Sequence, residues 1–200
     1  MEEILDTAHG FYAKNWCLAT SGNFSARLST GEILITASGK DKNRLSIRDF
    51  IAVDAEGKPT QERETLRPSA ETLLHCRIYQ VVPQAKAVFH SHSVYSTVLS
   101  QAYLKDGYLE LSQYEMLKAL EGILTHEVTV RIPILPNSQD MHQLAQEVEE
   151  LLRNHKDLKA FLIANHGLYS WAGSLSTCRR QIEALEFLLE CKYRGEIFDK

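Results

Sequence analysis

The chain has 200 residues, 44% of them hydrophobic and 24% charged, the make-up of a single globular domain with a sizeable core. A formal net charge of −4 without any Lys/Arg block argues against a nucleic-acid surface, and no apolar run approaches the roughly 18 residues that a membrane span needs. Cys17, Cys76, Cys178 and Cys191 are scattered without a C-x-x-C pair, and the start "MEEILDTAHG" is acidic and amphipathic rather than signal-like. Reduced thiols and a cytoplasmic protein are the expectation.

In chain order, Ile4, Leu5, Ala8, Phe11 and Tyr12 fall at helical spacing and predict a helix over residues 2–15. "FSARLSTGEILIT" reads as a hairpin turning at Thr30-Gly31, and "FIAVDAEGKP" as a strand that ends in a turn. "PSAETLLHCRIYQVV" predicts a helix beginning at Pro68-Ser69. "AVFH" is a buried strand, followed by a helix near "VYSTVLSQAY" and a partly helical stretch over "GYLELSQYEMLKALEG". "EVTVRIPIL" is a strand, and Ser138 and Asp140 mark the start of a helix carrying Leu144, Val148, Leu151 and Leu152. "LKAFLIANHG" is one strand stopping at Gly167, and "STCRRQIEALEFLLECKY" is the last helix. Strands and helices mix without strict alternation, so the expected fold is α/β: one domain over residues 1–200, with helices covering a mainly antiparallel sheet.

Three groups of residues carry chemistry. "AVFHSHS" places His90 and His92 two apart, so that in a strand both imidazoles share a face. His166 in "IANHGLYSW" follows an apolar strand, where loops present functional groups. Singly these are ordinary strand-end or loop histidines; together they are three imidazoles, and three protein ligands with an open position make a catalytic metal site. The second group is "TSGNFSAR", "ITASGKDK" and "RPSAET". As single segments these read as turns, yet Asn23, Ser38 and Gly39 suit hydrogen bonding to phosphate oxygens, and Ser69 stands where a helix would begin. No G-x-x-x-x-G-K-[ST] stretch is present, which excludes a nucleotide P-loop. The third group is the carboxylates Glu71 and Glu115. Proton transfer beside a carbonyl needs a base, and histidines committed to a metal cannot supply it.

In this order "SGNFSAR", "ITASGKD", "PSAET", "HSH" and "NHG" resemble the class II aldolase/adducin family over nearly the whole chain. "RPSAETLLH", "QYEMLKAL" and "ILPNSQDM" narrow the likeness to its ketose-phosphate dehydratases. The resemblance implies a central antiparallel sheet and a homotetramer with sites near subunit interfaces. It implies one Zn2+ per subunit on His90, His92 and His166, a phosphate pocket at Asn23, Ser38, Gly39 and Ser69, and a sugar-phosphate substrate. The dehydratases' acid/base glutamate matches Glu115, whereas the aldolases use the position of Glu71. Having both leaves the division of labour open. An aldolase of the fuculose- or rhamnulose-phosphate type is the alternative reaction, and a non-catalytic adducin-like module is the alternative class. The latter predicts loss of the metal histidines, and all three are present.

Overall fold

The computed structural model describes residues 2–61 and 66–198. Its elements are α1 (Glu2–Ala13), β1 (Asn23–Arg27), β2 (Ile33–Thr36), β3 (Phe50–Val53), α2 (Thr72–Val81), β4 (Ala87–Ser91) and α3 (Val94–Ala102). They continue with β5 (Tyr108–Ser112), β6 (Thr129–Leu135), α4 (Met141–Asn154), β7 (Ala160–Ile163), β8 (Gly167–Ala172) and α5 (Leu175–Phe198). The strands form one eight-stranded sheet in the order β3-β2-β1-β4-β8-β7-β6-β5. Every pairing is antiparallel except β6 with β7, so the expected α/β single domain with a mainly antiparallel sheet is what forms. Among the described residues, no helix is long and apolar enough to cross a membrane.

Alternation along the strands divides the core. Phe24 of β1 and Ala87 and Phe89 of β4 face one side, where Phe11 of α1 and Ile182, Leu185 and Leu189 of α5 pack on them. The rings of Phe11, Phe24 and Phe89 lie 5.3–6.3 Å apart by centroid, within the range of favourable aromatic pairs. Val88 of β4 and Phe161 and Tyr169 of β7 and β8 face the other side, beneath Leu74 and Ile78 of α2 and Leu144 and Val148 of α4. The sheet is therefore sandwiched between two helical layers, and its central strands are buried on both faces.

Three sequence expectations need correction. The helix predicted from Pro68-Ser69 starts at Thr72, because Ala37 bridges Pro68 and Ser38 N–H donates to Arg67 O, holding 67–68 extended beside the 37–38 loop. "LKAFLIANHG" is not one strand: β7 ends at Ile163, Asn165 takes φ 55°, and Gly167 opens β8. Asn tolerates that left-handed conformation better than most residues, so the chain turns there. The stretch read as partly helical begins with β5, whose Leu109 and Leu111 are buried between exposed Tyr108, Glu110 and Ser112. Only residues 115–119 form a short 3-10 turn.

Gly167 is required by packing. A Cβ there would meet Ser91 O at 2.0 Å and His90 Cε1 at 3.0 Å, so only glycine lets the start of β8 lie against the end of β4. Gly167→Ala should therefore cost about 1–3 kcal/mol by overpacking and displace the His90 ring. Denaturant unfolding together with a metal titration checks this. Wild-type stability with wild-type metal affinity would contradict it.

Candidate active site and metal centre

Strand register builds the floor of the site. Asn23 on β1 stands opposite His90 on β4, His90 opposite Tyr169 on β8, and Tyr169 opposite Phe161 on β7. These four side chains form a row across four strands on the α2/α4 face. The His90 and Tyr169 rings stack at 3.9 Å and 12°, and Phe161 stacks on Tyr169 at 4.9 Å and 11°. His90 Nδ1 lies 3.0 Å from Leu168 O, which can only accept, so Nδ1 carries the proton and the Nε2 lone pair faces the cleft.

His92 follows the end of β4 and is tied by its backbone N–H to Trp16 O at 2.7 Å. Next to it, Ser93 caps α3 by accepting from Ser96 N–H. His166 sits in the β7–β8 turn, where Thr97 Oγ1 donates to its carbonyl at 3.1 Å. The three rings converge, with centroids 4.4 Å (His90–His92), 4.6 Å (His92–His166) and 5.0 Å (His90–His166) apart. Glu71, the residue preceding α2, joins them: its Oε1 lies 2.8 Å from His166 Nε2 and 3.6 Å from His90 Nε2.

Ligand atoms of Glu71, His90, His92 and His166 all fall within 4.8 Å of one another, close enough to share one ion. The donor set fits a divalent metal. The Nε2 atoms of His90 and His166 confront each other at 3.4 Å, and buried His92 Nε2 has no hydrogen-bond partner among the described residues, which a ligated imidazole nitrogen does not need. Burial holds His90 well below its ordinary pKa and His92 down to about 4, with neighbouring histidines adding repulsion, so both rings are in the neutral, ligating form. Burial alone would raise the Glu71 pKa. The facing His90 ring, then His166 and the hydrogen-bonding Asn23 amide, carry it the other way, well below the usual carboxylate range.

A directional hydrogen-bond chain supports Glu71 from behind. Asn23 Oδ1 accepts from His75 Nε2, leaving the Asn23 NH2 to donate to Glu71 Oε2 and, at 3.3 Å, to Ser69 Oγ. His75 Nδ1 must then accept from Ser25 Oγ at 2.7 Å, and Ser25 accepts from the Tyr79 hydroxyl at 2.9 Å. Burial lowers the His75 pKa to about 4, consistent with a neutral ring that keeps one tautomer. Neither His75 nor this chain was evident in the sequence, where the helical face of α2 reads as core.

A cleft of about 340 Å³ opens beside the cluster. Asn23, Ser38, Gly39 and Ser69 all line it, as do Glu71, His92 and His166. Sequence reasoning missed Lys42 and the 137–139 segment, which also form its wall. Glu115 is not among the residues lining it. That side chain is 69% exposed, ion-paired with Lys118 and with His126 at 3.3 Å, and the Lys118 hydrogen bond lowers its pKa.

On the opposite face, Ser91 points away from its histidine neighbours and donates to Glu186 of α5 at 2.6 Å. The class II aldolase and adducin N-terminal domain matches residues 2–193. The chain belongs to that family. It is 43% identical over 189 residues to methylthioribulose-1-phosphate dehydratase of Sorangium cellulosum, covering 94% of this chain and 89% of the relative. The Methylococcus capsulatus dehydratase of the same name is 45% identical over 192 residues, covering 96% and 92%. Among solved folds of the family, L-fuculose-1-phosphate aldolase from Thermus thermophilus superposes with a TM-score of 0.79 at 24% identity, covering 99% of this chain and 94% of that one. YgbL from Escherichia coli gives 0.76 at 27%, covering 96% and 87%.

Glu186 yields a pH test of this family member's scaffold. Burial pushes its pKa from 4.5 to about 7 against hydrogen bonds from Ser91 and Ser93. Between about pH 4.5 and 7 the folded chain keeps a proton that the unfolded chain has lost, so stability falls as pH rises through that window and levels off above it. The fall should be about 3 kcal/mol. Glu186→Gln removes it, so unfolding curves for the two proteins should diverge in the variant's favour from pH 4.5 to pH 8. A constant difference across that range would contradict the assignment.

Proposed function

We propose that this chain is a metal-dependent hydro-lyase of methionine salvage, converting 5-methylthioribulose 1-phosphate to 2,3-diketo-5-methylthiopentyl 1-phosphate. The observation that carries this reading is one cleft in which a Glu/His3 cluster adjoins a rim of hydroxyl and amide donors. Near-full-length identity of 43–45% to dehydratases of that name supports the same substrate. The ion is taken to be Zn2+, one per subunit, on His90, His92 and His166. The working form is taken to be a cytoplasmic homotetramer.

When bound, the ion supplies Lewis acidity to the ketose carbonyl. Asn23, Ser38, Gly39 and Ser69 hold the phosphate, so that binding energy far from the reacting carbons orients them. Dehydration removes the C3 proton and the C4 hydroxyl as water, and the resulting enol ketonises to the diketone. Glu71, kept ionised and held by the Asn23 amide, is fixed facing the cluster. Glu115 moves the C3 proton and assists departure of the C4 hydroxyl. Because its side chain is exposed and outside its own chain's cleft, it serves the cleft of a neighbouring subunit. Assembly would desolvate it and loosen its pairing with Lys118, raising its pKa towards that of a working base.

Incubating the zinc-loaded protein with 5-methylthioribulose 1-phosphate tests the reading: diketone absorbance should appear. Cleavage of C3–C4 to dihydroxyacetone phosphate and an aldehyde would mark a fuculose- or rhamnulose-type aldolase instead, and no reaction an adducin-like module. Glu115→Gln should lower kcat by about 10² to 10⁴ with metal retained, and Glu71→Gln should do less. Mixing Glu115→Gln subunits with His92→Ala subunits should restore activity, since one supplies the metal site and the other the glutamate. Failure of mixed tetramers to recover any activity would contradict a Glu115 that acts across the interface.

A further inference from the structure

"SGKDK" offers two lysines, and the fold treats them oppositely. Lys40 turns outward into an ion pair with Asp49 at 3.0 Å. Lys42 turns inward, is 1% exposed, and lines the cleft. Its Nζ donates to Thr20 O at 2.9 Å and Lys40 O at 2.8 Å, and among the described residues it has no carboxylate in ion-pair range. An ammonium has three donors, and two are used on neutral carbonyls. Burying a cation without a counter-charge is costly, so the arrangement fits a site whose counter-charge arrives with the ligand.

The rest of the cleft wall sharpens this. Among the described lining residues Lys42 is the one lysine or arginine, and Glu71 the one carboxylate. Asn23, Ser38, Gly39 and Ser69 offer neutral donors, which can orient a phosphate but do little to offset its charge. A phosphate dianion held on such neutral donors keeps its full charge unless a cation stands beside it, and Lys42 is the lysine or arginine of that wall. We infer that Lys42 supplies the positive charge of the phosphate end of the cleft, and thereby makes the site selective for the phosphorylated ketose over the free sugar. This rests on the reading of the cleft as a sugar-phosphate site. Burial draws the Lys42 pKa below its ordinary value, while Cys17, Asp41 and Glu71 oppose that, and an incoming anion favours the charged form further. Its bond to Thr20 O ties the 38–42 loop to the 20–22 loop, and its bond to Lys40 O braces the 38–42 loop internally, so the charge is held in place before substrate arrives.

The test uses zinc-loaded protein and two probes: inorganic phosphate for the anion end, and acetohydroxamate, which needs only the metal end. For Lys42→Met, which keeps the length and removes the charge, phosphate affinity should fall about 10- to 100-fold with hydroxamate affinity unchanged. In the wild type, the Lys42 Nζ signal in a 15N spectrum should shift on adding phosphate, which requires no variant to fold. Phosphate affinity of the variant within about threefold of wild type, equal loss of both probes, or an unmoved Nζ signal would each overturn the role of Lys42. Wild-type protein that does not bind phosphate at all would instead overturn the sugar-phosphate reading of the cleft, and this inference with it.

Discussion

The site depends on one close approach, the end of β4 lying against the start of β8. There the His90 Nδ1–H bond to Leu168 O fixes a tautomer, the His90–Tyr169 stack fixes a ring plane, and Gly167 permits the distance. Alternation along β4 then sends His90 towards α2 and Ser91 towards α5, where Glu186 holds it. His92, just past the strand end, and His166, in the turn before Gly167, inherit their positions from the same junction. A loop-built metal site lacks this rigidity. Here a histidine on a central, fully buried strand sets the frame for two candidate ligands on loops.

Electrostatics divides the cleft into two ends. At one, His90, His92 and His166 surround an ionised Glu71; at the other, Lys42 stands among hydroxyl and amide donors. Asn23 joins them, since its amide reaches both Glu71 and Ser69 and is itself oriented by His75, Ser25 and Tyr79. The chain runs in one donor-to-acceptor direction, so a single tautomer of His75 determines which way Asn23 faces. The helical layer over the sheet thus orients the donors of the site as well as covering the core.

Much of this was legible in the sequence, for identifiable reasons. H-x-H and N-H-G are local patterns whose spacing survives folding, and the three small-residue loops were each visible as turns. What failed was local signal overridden by tertiary context. β8 went unseen because "GLYSWA" is buried on both faces and shows no alternation, and its turn uses a left-handed Asn rather than an Asn-Gly pair. β5 did alternate, but it was submerged in a window that also held the 115–119 turn. Lys40 and Lys42 are equivalent on paper, and only the 3-10 turn at 42–44 sends one inward. Glu71 and Glu115 were both found as carboxylates. Burial separates them into one that faces the cluster of its own chain and one that does not, a distinction that no spacing rule encodes.

X-ray absorption at the zinc edge of the loaded protein, with metal stoichiometry, addresses the central claim that this junction is a metal centre. The account predicts one zinc per chain, with a first shell of nitrogen and oxygen at about 2.0–2.1 Å that includes three imidazoles, and a loss of imidazole scattering in His92→Ala. A sulfur ligand at about 2.3 Å, fewer than two imidazoles, or a spectrum unchanged in His92→Ala would contradict it.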